Sequence, residues 1–179
     1  MTVTTTNLIQ GPALIFIGTF GVTEPLTVAT APGTGWVNAG GTKDGIELTI
    51  TKEFAPLEVD QVIDQVGHTV VKRIVQVKTS LAEGTLANLA HALSETAPVG
   101  NVLEPGSDLA AFTPTYRAVL LDGIAPGGFR RRVIVRRVLS TDAVGVAYKK
   151  DGMTLVPVTF TGPYVSPTLR PYRIEDATV

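Results

Sequence analysis

Side chains able to do covalent chemistry are few in this chain and badly spaced to cooperate. There is no cysteine, and the two histidines, His68 and His91, stand apart from any Asp/Glu/His pattern at metal-ligand spacing. His68 follows a glycine, and His91 falls near the edge of an apolar helical stripe. Each reads as a structural or solvated histidine. No nucleophile has a base at a recognisable spacing. Carboxylates gather at Glu53, Glu58, Asp60 and Asp64, but a solvated loop is a poor place to tune a carboxyl for acid–base work. The glycine pairs around Gly33–Gly35, Gly40-Gly41 and Gly127-Gly128 precede no Lys-Ser/Thr and no helix start, so they build no phosphate cradle. The expectation is a non-enzyme, with no catalytic residue, metal or cofactor.

One cationic cluster remains, in the run FRRRVIVRRV, with Arg130, Arg131, Arg132, Arg136 and Arg137. Such a strand could grip phosphates, lie at a sheet edge, or pair with carboxylates. Aromatic residues hardly interleave it, which argues against single-strand binding by stacking. Pairing with the acidic 53–64 loop across a subunit boundary is the better match. Glu58, Asp60 and Asp64 are then the acidic side of a contact between copies, and the five arginines the basic side. Rim pairs of this kind give register and recognition more than affinity.

The elements that must position these groups are mostly strands. The chain has 179 residues, 44% of them hydrophobic, with a formal net charge of −1. That length fits one domain, 1–179, and the apolar content supports a real core. Val, Thr, Ile and Gly predominate over aromatics, a bias toward pleated, half-buried structure. Lack of cysteine removes disulfide and thiolate–metal scaffolds and suits folding in a reducing cytoplasm. The first residues lack a basic leader pattern and the run Ala13–Ile17 is too short to span a bilayer, so no membrane insertion is expected.

Residues 1–12 read as an N-terminal arm and Ala13–Phe20 as a short buried strand. Trp36 opens a turn in which Asp44-Gly45 can supply the positive φ of a hairpin or bulge. Ile46–Phe54 alternates: Ile46, Leu48, Ile50 and Phe54 on a dry face, Glu47, Thr49, Thr51 and Glu53 on a wet, anionic one. Residues 55–67 read as an extended loop or a short amphipathic turn of helix, with exposed valines that something must cover. Thr69–Thr79 is again strand. Ser80 and Glu83 form a capping box opening a helix over about 80–93, with Leu86, Leu89, Ala90 and Leu93 on one stripe. Residues 95–114 are loop. Strands follow at Thr115–Asp122, Phe129–Leu139, Val144–Lys149 and Met153–Phe160, with Asp151-Gly152 as the best hairpin signal. Residues 163–179 read as an extended C-terminal arm. The fold class is α+β, mainly β, with one principal flanking helix.

The order of the features over residues 36–93 resembles the major tail protein (tail tube subunit) of long-tailed bacteriophages. It rests on the Trp-turn-Asp-Gly segment, the alternating strand, the acidic hairpin excursion, the Val-rich strand and the run TSLAEGTLANL (79–89). The resemblance implies a tail-tube-like β-sandwich or rolled sheet whose copies close into hexameric rings that stack as a hollow tube. It further implies partners: a tape-measure protein, a tail terminator, baseplate or tail-tip proteins, and double-stranded DNA in transit. The location implied is the virion tail, assembled in the host cytoplasm. A tail terminator, a decoration protein or a phosphate-binding β-domain are the alternatives. A bore lined by arginines would seize DNA, because cation–phosphate contacts gain from counterion release. An anionic or weakly charged wall would let it pass. Glu47, Thr49, Thr51 and Glu53 are therefore the expected lumen residues, although Lys72 and Lys78 on the partner strand count against a purely anionic wall.

Overall fold

In the computed structural model, residues 3–106 and 113–177 are described. Eight strands and one α-helix lie among them: β1 (Leu14–Thr19), β2 (Trp36–Asn38), β3 (Thr42–Leu57), β4 (Gly67–Leu81), α1 (Leu86–Ala92), β5 (Arg117–Ile124), β6 (Arg130–Ser140), β7 (Val156–Gly162) and β8 (Tyr172–Asp176). All pairings are antiparallel, along the path β2-β1-β5-β6-β7-β4-β3, with β8 also on β6. The mainly β, α+β class is therefore correct.

β6 joins two sheets. Its first part lies between β5 and β8, with Val133 opposite both Leu121 and Ile174, while its last residues, Leu139 and Ser140, pair with β7. A strand that changes partners along its length turns the corner of a sandwich. The main core fills the space between the sheets. Ile15, Ile17, Val119, Val135 and Val138 come from one side, and Val75, Val77, Leu81, Val158 and Phe160 from the other. Alternation along β5 sends Ala118 and Leu120 to the opposite face, where they meet Ile134 and Trp36 in a second, smaller cluster. Trp36 is held there by its indole N–H, which donates to the Thr23 carbonyl at 3.0 Å. Both faces of this sheet are thus dry, which explains the unbroken apolar reading of β5 and of the middle of β6.

Asp44-Gly45 makes a bulge rather than a hairpin turn. Both residues have positive φ, 66° and 82°, and the β3–β4 register slips between Lys43 and Ile46. From there the alternation runs as expected as far as Ile50, with Ile46, Leu48 and Ile50 packed on the main core, but Phe54, expected on the same dry face, lies beyond a second register slip and is more than half exposed.

Four expectations are corrected. The helix is seven residues, Leu86–Ala92, not about 80–93, and Ser80 and Glu83 form no capping box. Ser80 stays in the ladder, opposite Lys43 and Pro157. Glu83 instead accepts from the Gly41 N–H at 3.0 Å, with Gly40 at positive φ beside it, where a Cβ would collide with the carboxylate. The cap is Thr85, whose Oγ1 accepts from Asn88 N–H at 3.2 Å. A strand ladder with partners on both sides outweighs one local cap. Second, residues 55–67 are neither loop nor helix at their ends: β3 and β4 stay paired as far as Leu57 and Gly67. Third, Val144–Lys149 is not a strand, and Asp151-Gly152 joins no paired strands; Val144 and Val146 pack on the main core without a ladder. Fourth, the C-terminal arm contains β8, docked along β6 from Arg131 to Val135. Of the expected 95–114 loop, 107–112 lie outside the described residues.

Candidate functional site

The feature with most to offer a partner is the outer half of the β3–β4 hairpin. The strands are hydrogen-bonded over their whole length, but residues 51–73 leave the sandwich and are almost all exposed. A second slip, between Glu53 and Phe54, marks the point of departure. Along the ribbon lie Phe54, Leu57, Val70 and Val71, each about half exposed or more, and at its tip Val59, Val62, Ile63 and Val66. Ile63 is completely bare. The tip is closed by Val62 N–H to Val59 C=O and Val66 N–H to Leu57 C=O. Single exposed apolar residues are ordinary on a protein surface; a contiguous set on a projecting ribbon marks an interaction surface. β3 is also the end of the strand path, so its outer edge is unpaired among the described residues.

Glu58, Asp60 and Asp64 are exposed among the apolar residues of this tip. The wet face nearer the body carries Glu47, Thr49, Thr51 and Glu53, opposite Lys78, Gln76, Ile74 and Lys72. Glu53 and Lys72 form a 3.3 Å ion pair, half exposed on both sides, and the Thr49 hydroxyl donates to Glu47 at 3.3 Å. Glu53 thus meets an ammonium and Glu47 stands in register opposite one, Lys78, so the face is balanced rather than anionic.

Each member of the arginine run has a partner within the chain. Arg132 is buried and makes a bidentate pair with buried Asp122 at 2.7 and 2.8 Å, while its remaining nitrogen donates to the carbonyls of Thr27 and Thr30. Arg136 pairs with Glu24 and donates to Arg170 C=O. Arg130 donates to Val28 C=O at 3.3 Å. Arg130, Arg132 and Arg136, at even-numbered positions of β6, thus clamp the segment 24–30 over the smaller core, whereas Val138, beyond a register slip, turns into the main core. Arg131 binds Asp176 on β8 through two bonds, at 2.6 and 2.7 Å. That hydrogen bonding lowers the Asp176 pKa and raises that of Arg131. Arg137 stacks over Tyr116, 3.7 Å from the ring centroid, and donates to Tyr164 C=O. Arg131, Arg132 and Arg136 pair with carboxylates of their own chain, Arg130 and Arg137 bond only carbonyls, and none pairs with the 53–64 segment. Nothing in the spacing of the arginines could have pointed to Glu24, Asp122 or Asp176, which lie far along the chain or on a separate strand.

His68 lies on the ribbon with its ring edge-on to Phe54. His91 is in the last turn of α1. Burial first, and then the nearby Arg117 cation, lower its pKa to about 4, and its Nδ1 has no hydrogen-bond partner among the described residues. No group of three or more His, Cys, Asp or Glu residues suited to a metal ion occurs among the described residues. No helix among them is long and apolar enough to cross a membrane.

Compared with known proteins, the chain matches no family model and no curated sequence.

Proposed function

We propose that the protein is a structural subunit that assembles with copies of itself into rings and a hollow tube of the phage-tail kind, carrying double-stranded DNA through its bore. The observation behind this reading is the ribbon 51–73: a paired hairpin standing clear of the core with apolar residues along it and at its tip. A hairpin of this sort gains little stability alone, and its apolar side chains are covered only by another molecule. The mainly antiparallel β fold with one short helix is compatible with the architecture that the resemblance implies, and the balanced, hydroxyl-rich face of β3 and β4 is a suitable lining for a bore that must not hold phosphates. The family, the hexameric ring and the partners in a virion rest on the resemblance.

The test is direct imaging. Concentrated wild-type protein is expected to give striated hollow tubes in negative stain, and deletion of residues 56–64 to give a folded monomer that forms none. Tubes from the deletion variant at wild-type yield would remove the ribbon from assembly. Single closed rings or monomers from the wild type would favour a terminator or an accessory subunit.

A further inference from the structure

We infer that the acidic hairpin tip of one copy docks in a cationic cleft at the base of the same hairpin on the next copy; this deepens the assembly reading above and rests on it. The cleft, of about 440 Å³, opens between the inner side of β4 and the segment leading to β8. Val71, Val75, Tyr164 and Leu169 give it an apolar lining, and Lys72, Arg73 and Arg170 a positive rim. No carboxylate lines it among the described residues. Lys72 is paired with Glu53, but Arg73 and Arg170 are exposed and point their charge to solvent.

This cleft is built rather than incidental. Its second wall is a stretch without regular structure, yet β6 fixes it at two points: Arg137 donates to Tyr164 C=O at 3.0 Å and Arg136 to Arg170 C=O at 2.7 Å. Within the wall, Ser166 Oγ accepts from Leu169 N–H. The arginines of β6 therefore serve assembly indirectly, by holding the wall of a receptor.

The tip is the chemical complement of the cleft. It carries Glu58, Asp60 and Asp64 around Val59, Val62 and Ile63, so charge would meet charge and apolar residues would meet an apolar floor. The occupant cannot be the chain's own tip. From Arg73, opposite Lys52, to the end of the ladder at Leu57 the ribbon runs five residues, about 17 Å at roughly 3.4 Å per residue. A paired ribbon cannot fold back over that distance. Tip-in-cleft contact is thus head-to-tail, and it propagates from copy to copy as a ring or a filament requires.

Two charge-reversed variants test it. One carries Glu58→Lys, Asp60→Lys and Asp64→Lys, the other Arg73→Glu and Arg170→Glu. All five positions are exposed, so melting curves are expected to match the wild type. Alone, each variant sets like charge against like, and self-association in a sedimentation concentration series is expected to weaken by about tenfold or more. An equimolar mixture restores both contacts and is expected to associate as the wild type does. If either variant alone associates like the wild type, or the mixture stays apart, the docking is wrong.

A second measurement separates this inference from the tube. The chain has no native cysteine, so an Ile63→Cys, Leu169→Cys double variant under mild oxidation is expected to give a ladder of disulfide-linked copies. A ladder without tubes supports the docking and rejects the tube. Tubes without a ladder reject the docking and leave the tube standing.

Discussion

Arg132 is the largest fully buried side chain among the described residues, and its charge is tolerable only because Asp122 meets it with both oxygens. Removing one partner strands the other in the core. Asp122→Ala is expected to lower unfolding free energy by about 3–5 kcal/mol in denaturant titration. Replacing both, as Arg132→Met with Asp122→Leu, is expected to cost markedly less, because no charge is left unpaired. A double variant as unstable as Asp122→Ala would mean that Arg132 acts mainly by holding the Thr27 and Thr30 carbonyls. His91 gives the opposite dependence on charge. Its folded pKa, about 4, lies below the ordinary 6.5, so the unfolded chain binds the extra proton between those values. Its contribution to stability is therefore complete above pH 6.5 and is lost as pH falls toward 4. Thermal melts at pH 7 and pH 4.5 check this: His91→Gln is expected to flatten the slope between them, and an unchanged slope would place it elsewhere.

Among the elements, the ribbon differs from the rest in how its hydrogen bonds are protected. β5 and β6 are sheathed on both faces, whereas the pairs from Lys52–Arg73 outward to Leu57–Gly67 stand in water. Local opening there exposes little further apolar surface, so it is easy. In the free subunit, amides of 53–55, 57 and 67–72 are expected to exchange orders of magnitude faster than those of 118–121 and 133–135, and to slow sharply on assembly. Equal rates in the free subunit would show that the ribbon is stabilised within one molecule. Strand periodicity revealed these elements well where one face is wet: β3 was legible down to the faces of Glu47 and Ile50. It failed where tertiary partners decide. The Ser80 cap signal is real in isolation, but β7 and β3 offer Ser80 backbone partners that no local pattern announces. Val144–Lys149 has strand composition and packs on the core without a strand to pair with. The arginine run was legible as carboxylate-paired cations, yet not as a clamp, because Glu24 lies 112 residues from Arg136.

For the whole molecule, the proposed tube turns on which surface would line its bore, and charge bears on that choice. A formal net charge of −1 gives no general attraction to a polyanion. The even-numbered arginines, which could have supplied a local one, are spent on the segment 24–30. What is left facing outward from β3 and β4 is a set of crossed pairs, Glu47 with Lys78 and Glu53 with Lys72. If that face lines the bore, each phosphate passing meets cation and anion together and finds no net binding. The double variant Glu47→Lys, Glu53→Lys turns the balanced face into four ammonium groups per subunit, repeated around every ring. Tubes of that variant are expected to retain duplex DNA at low salt and release it steeply as salt rises, the log affinity falling by about 0.9 per phosphate contact for each decade of salt. The reverse variant, Lys78→Glu, which leaves the rim of the docking cleft intact, is expected to bind none. Fluorescence anisotropy of labelled duplex on purified tubes reads both. If the lysine variant assembles normally yet holds no more DNA than the wild type at low salt, the face lies outside the bore, and the strand that lines it must be sought in the other sheet.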